Sequence, residues 1–227
     1  MLGTLGGFLF RRTIFQHKNA VDAFSAGLML VAAILGLLEP ALSCGGIVIA
    51  ILGILLGALS LVICDMGIPF LREKKGSVPK GEGDRVLLLF LAIAVHNFPE
   101  GMAAGVGFGQ LPPDAALLIA GEIAVQNLPE GMVIVGPMLA SGVTAKRTFF
   151  LALVTAMIEM VGTIFGYYAV EAAGAILPFT LSFACGMMLY VIFDEMIPQA
   201  NQNKSGAFVS LSFMLGVCFM LAFDCIF

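Results

Sequence analysis

Residues Ile93–Met102 read IAVHNFPEGM, and residues Ile123–Met132 read IAVQNLPEGM. Eight of the ten positions are identical, and the two copies stand thirty residues apart. On a helix, residues three and four apart share a face. His96, Asn97 and Glu100 therefore line one face of the first copy, and Gln126, Asn127 and Glu130 line the same face of the second. Pro99 and Pro129 bring no N–H, which frees the carbonyls of Val95 and Val125 and predicts a kink beside the polar side chains. Gly101 and Gly131 leave room for a second helix to come close.

Working outward, both copies sit near the middle of apolar runs. A helix crosses the hydrocarbon core with about 20 apolar residues. Such runs cover Asp22–Leu38, Gly45–Ile68, Val86–Phe108, Pro113–Ala140, Thr148–Val170, Gly174–Phe193 and Ala207–Phe227. Met1–Phe10 is apolar but cannot cross alone, and it reads as the inner half of a first helix that is short or truncated. The expectation is an all-α integral membrane protein, an eight-helix bundle forming a single transmembrane domain over residues 1–227. Consecutive spans run in opposite directions, so the two copies form an inverted repeat, a pointer to a transporter's binding site.

Composition agrees. Apolar residues make up 60% of the 227 and charged residues 11%, against roughly 45–50% and about 25% in soluble domains. Nucleic-acid binding has no support, because there is no basic tract interleaved with aromatics. The five cysteines are scattered with no CxxC pair and read as small apolar side chains.

All eleven Lys and Arg fall in four connections: Arg11, Arg12 and Lys18; Arg72, Lys74, Lys75, Lys80 and Arg85; Lys146 and Arg147; and Lys204. The alternate connections Glu39–Cys44, Gly109–Pro112 and Glu171–Ala173 hold none. Basic residues gather on the cytoplasmic side. This alternation puts the basic loops inside a cell membrane, inner or plasma, and the C-terminus outside. Residues 71–85, rich in Gly, Pro and charge, read as the cytoplasmic loop between the third and fourth helices.

An ionised carboxylate at the bilayer centre costs at least about 2.5 kcal/mol. Glu100, Glu130 and Glu159 all lie near that depth with no Lys or Arg at their level. Protons or a bound cation must complete the charge. Carboxylate, imidazole and amide oxygens form a mixed set suited to zinc, iron or manganese. An intramembrane metalloenzyme would need an HExxH pair or a His-rich cluster, and only His96 is in a span. A channel-like metal pore or a sensor remains open at this point.

HNFPEG followed by QNLPEG resembles the ZIP family of divalent metal transporters, with Gln126 in place of a second His similar to its bacterial GufA-type branch. The resemblance covers essentially the whole chain. It implies a secondary transporter, not an enzyme, that moves zinc, or Fe2+, Mn2+ or Cd2+, into the cytoplasm. The metal is cargo rather than a cofactor. The implied partners are divalent ions and the lipid bilayer, with a homodimer left open. The resemblance further implies a two-metal site. His96, Glu100, Gln126 and Glu130 match the first position; Asn97, Glu100, Asn127, Glu130 and Glu159 match the second. Met29 matches a thioether at the first position, and Asp65, Asp194 and Glu195 match an exit-side relay. Asn127 stands where the related branch can carry Asp, and Phe70 where an exit-side His is often found. Glu122, one turn before Gln126, reads as an interfacial solvated carboxylate.

Overall fold

The structure is a computed structural model that describes residues 1–74, 97–140, 142–172, 174–202 and 206–227. Its helices are α1 (Leu2–Leu9), α2 (Arg11–Gln16), α3 (Lys18–Val31), α4 (Glu39–Lys74), α5 (97–110), α6 (Pro113–Ala140), α7 (Ala145–Ala172), α8 (Leu177–Val191), α9 (Ile197–Ala200) and α10 (Gly206–Ile226). Among the described residues, five helical stretches are long and apolar enough to cross a membrane. One of them, Lys18–Cys64, runs for 47 residues, about 70 Å at 1.5 Å per residue, twice what a bilayer needs.

Gly46 divides that stretch. It adopts φ 73° and ψ 175°, a backbone conformation that only glycine enters without penalty. The connection expected at Glu39–Cys44 is therefore helical, and the reversal is compressed into one residue. At its far end α4 continues to Lys74, which takes the first residues of the expected 71–85 loop into helix. The rest of that loop, Lys75–Arg85, lies outside the described residues, as do the first copy's leading residues through His96.

Two wide, π-helical turns interrupt the helical path, at Ala32–Leu38 and Ile192–Met196. Each is followed, two residues on, by a proline: Pro40 and Pro198. A proline ring collides with the carbonyl four residues back, and widening the turn relieves that collision without ending the helix. The span expected to stop at Phe193 thus carries on to Ala200, through Asp194 and Glu195. By contrast, α6 passes through Pro129 as one helix of 28 residues.

Glycine seams join the helices in pairs. Gly27 of α3 faces the Phe213 carbonyl of α10, and Gly216 of α10 faces Phe24. Gly57 of α4 and Gly186 of α8 approach each other's backbones in the same way. Gly101 and Gly105 of α5 lie against the carbonyls of Glu159 and Thr163 in α7, which answers with Gly162 and Gly166. Gly3 and Gly7 of α1 lie on Leu128 and Met132 of α6. In lipid there is no hydrophobic drive between helices, so such close backbone packing supplies the attraction. Outward, Val48, Leu52 and Leu55 of α4, Tyr168 and Met160 of α7 and Leu215 of α10 are exposed, which suits a lipid-solvated surface.

Candidate metal centre

Leu111 and Pro112 are all that separate α5 from α6, and Gly107 meets Ala116 and Ile119 across the hairpin. The two motif copies are thereby antiparallel neighbours. Their polar faces meet. Gln126 Nε2 donates to Glu100 Oε1 at 2.9 Å, with both side chains fully buried. That hydrogen bond satisfies only half of each group. Glu100 Oε2 and Gln126 Oε1 are buried acceptors with no donor among the described residues.

Glu130 faces Glu100, near enough for the two carboxyls to share a hydrogen bond when one is protonated. From the other side, Ser25 Oγ of α3 donates to Glu130 Oε1 at 3.2 Å. Next to it, Asn127 Nδ2 donates to Glu159 Oε1 at 2.7 Å, tying α6 to α7. Asn97, Asn127, Glu130 and Glu159 line one cavity of about 50 Å³, together with Thr155 and Thr4. Two of the acidic residues are each tied to an amide, Glu100 to Gln126 and Glu159 to Asn127. Among the described residues, no three His, Cys, Asp or Glu side chains gather at one point.

The cluster thus has two parts. Glu100 and Gln126 form a dry part, Asn97, Asn127 and Glu159 a part open to the cavity, and Glu130 belongs to both. Lys146 and Arg147 begin α7, and Arg147 stands twelve residues from Glu159, about 18 Å along the axis. No Lys or Arg occurs in 97–140. Among the described residues the donor set is all oxygen, acceptor-rich and short of positive charge, which fits a divalent cation.

Four further residues are candidates, Met29, Asp65, Asp194 and Glu195. Met29 is fully buried in an apolar cluster with Met102, Ala103 and Val106. Asp194 and Glu195 sit on the Ile192–Met196 turn, Asp194 exposed. The Asp65 side chain, like His96, lies outside the described residues. Glu122 overturns its expectation: it is fully buried, not solvated. Sequence reasoning missed Ser25. Its one signal was a hydroxyl in the small-residue run Ser25-Ala26-Gly27, one turn before Met29.

The sequence model of the ZIP zinc transporter family matches residues 71–224. The chain belongs to the ZIP family. Zinc transporter GufA of Myxococcus xanthus is 41% identical over 76% of this chain and 68% of its own length. Zinc transporter ZIP11 of Homo sapiens is 42% identical over 62% of the chain, a match that spans only 43% of the human protein. Zinc transporter ZIPB of Bordetella bronchiseptica is 28% identical over 98% of the chain and 76% of its own length. This ZIP chain is accordingly a multi-pass membrane protein and a metal transporter, not an enzyme.

Proposed function

We propose that this ZIP protein is a secondary carrier that brings divalent metal, zinc foremost, into the cytoplasm. Iron, manganese and cadmium are the other candidate cargoes. The reading rests on one observation: Glu100 Oε2 and Gln126 Oε1 are buried acceptors that nothing in the described chain satisfies. Leaving such groups unpaired costs about 1–3 kcal/mol each, and more when they are charged. A cation supplied from solution would remove that cost.

His96, Glu100, Gln126 and Glu130 would then hold one ion. Asn97, Asn127 and Glu159, with the two bridging glutamates, would hold a second, weaker one, because Asn127 brings no charge. Metal sheds water on entering from the outside, and α5 and α6 move relative to α3, α4, α8 and α10 to release it inward. The grouping follows the glycine seams, which tie α1 to α6, α5 to α7, α3 to α10 and α4 to α8. The basic connections, residues 75–85 among them, face the cytoplasm in this reading.

Uptake into proteoliposomes carrying an internal fluorescent chelator tests it. Glu130→Ala should abolish zinc uptake while inserting normally, and normal uptake by that variant would refute the assignment. Flux that saturates with metal marks a carrier, whereas ohmic current marks a pore.

A further inference from the structure

A second pair of carboxyls lies one helical turn from the centre. Glu122 precedes Gln126 by four residues on α6, about 6 Å along the axis. Its side chain is 0% exposed, and neither carboxyl oxygen meets a hydrogen-bond donor among the described residues. It points at the wide turn before Pro40: a Cβ added at Gly36 would stand 2.6 Å from Glu122 Oε2. Across the same interface Asp224 of α10 comes within hydrogen-bonding reach of it. Beside them Phe223 packs at 3.2 Å from where a Gly121 Cβ would lie. Leu28, Val31, Ala32 and Met220 make the surrounding wall apolar.

The elements packed here supply no counter-charge. The other acids of α6, Asp114 and Glu130, stand eight residues away on either side, about 12 Å. Ala32–Leu38 carries no titratable side chain, and α10 carries only Asp224 and the exposed thiols of Cys218 and Cys225. Lys18 and Asp22 of α3 bind each other at that helix's far end. No Lys, Arg or His serves the pair from these elements.

Two ionised carboxylates cannot stay in contact in such surroundings. Either a metal ion or a proton joins them. A metal needs four or more ligands, and the apolar side chains packed here add none to the two carboxyls. We propose that Glu122 and Asp224 share one proton, forming an acid pair that fastens α6 to α10 and the Ala32–Leu38 turn. The protonated Glu122 carboxyl donates to the Asp224 carboxylate, and the one negative charge remains at the wetter Asp224 end. If the carrier reading is right, moving α6 past α10 parts the pair, wets both carboxyls and frees the proton, so that the cycle is coupled to protons at a point separate from the metal.

Infrared difference spectroscopy of the full-length protein, in liposomes and without metal, tests this directly. Beside any band that the metal-free Glu100 and Glu130 contribute, one protonated carboxyl C=O band that exchanges slowly in D2O should be lost in Glu122→Gln and kept in Glu100→Gln. Asp224→Asn should shift the band, since its partner changes, and provides a second variant should Glu122→Gln insert poorly. A carboxyl C=O spectrum that Glu122→Gln leaves unchanged, or a Glu122 band that Asp224→Asn leaves in place, overturns the proposal. So does a loss of one bound Cd2+ per chain in Glu122→Gln, which would make the pair a metal site. The band is read without transport, so it stands or falls separately from zinc uptake.

Discussion

The two motif copies differ far more in their surroundings than in their letters. Both end PEGM, yet Glu100 is sealed from solvent while Glu130 opens onto a cavity. The helix laid across each glycine makes the difference. Gly101, like Gly105 after it, admits α7, a helix of 28 residues. Gly131 admits only α1, eight residues long, whose Gly3 and Thr4 meet it. An inverted repeat can therefore be symmetric in sequence and asymmetric in solvation, so that one half of a site is dry and the other wet. Dry carboxylates interact strongly and wet ones exchange easily, a useful division for a site that must both capture and release.

The largest break in this comparison comes from the carboxylates themselves. Glu100→Gln should keep the bond from Gln126 and insert normally, yet bring zinc uptake to background, because the bridging charge is gone. Retained uptake would show that Glu130 serves alone.

Next come the glycines. A methyl at Gly101 runs into the Glu159 carbonyl, a backbone atom that cannot step aside. At Gly131 a Cβ would stand 3.1 Å from Thr4 N of a short helix that can shift. Gly101→Ala should therefore cost about 1–3 kcal/mol of stability as overpacking does, and Gly131→Ala clearly less. Thermal melts in detergent check the order, and equal losses would remove the asymmetry argued from α1 and α7.

Smaller effects sharpen the wet half. Asn127→Ala frees Glu159 and should weaken metal affinity by about 10-fold, the low end for groups that orient ligands. Ser25→Ala removes one hydroxyl from Glu130 and should cost about 1 kcal/mol, roughly fivefold in affinity. Equilibrium binding by titration calorimetry reads both. Finally, under the proposed assignment protons compete with metal for Glu100 and Glu130, so uptake should fall as pH falls. The dependence should be shallower in Glu100→Gln, which has one titrating ligand fewer.

Much of this was legible in the chain. The apolar runs announce membrane spans because lipid demands an unbroken helical hydrogen-bond ladder. The repeat at Ile93 and Ile123 announces paired polar faces because helix periodicity is local. The Asn127–Glu159 and Gln126–Glu100 bonds join residues that were already candidates. What escaped the reading were the helix ends at Gly46 and Ala200. There a single positive φ, or a widened turn ahead of proline, decided what composition alone could not.

By itself the sequence determined the spans, the antiparallel hairpin of motifs and the shortage of positive charge at their level, since each depends on length, periodicity and residue type. Tertiary structure alone decided which carboxylates are dry. Burial is a property of the neighbouring helix, and Glu122 reads as a surface acid until α10 and the Ala32–Leu38 turn close over it.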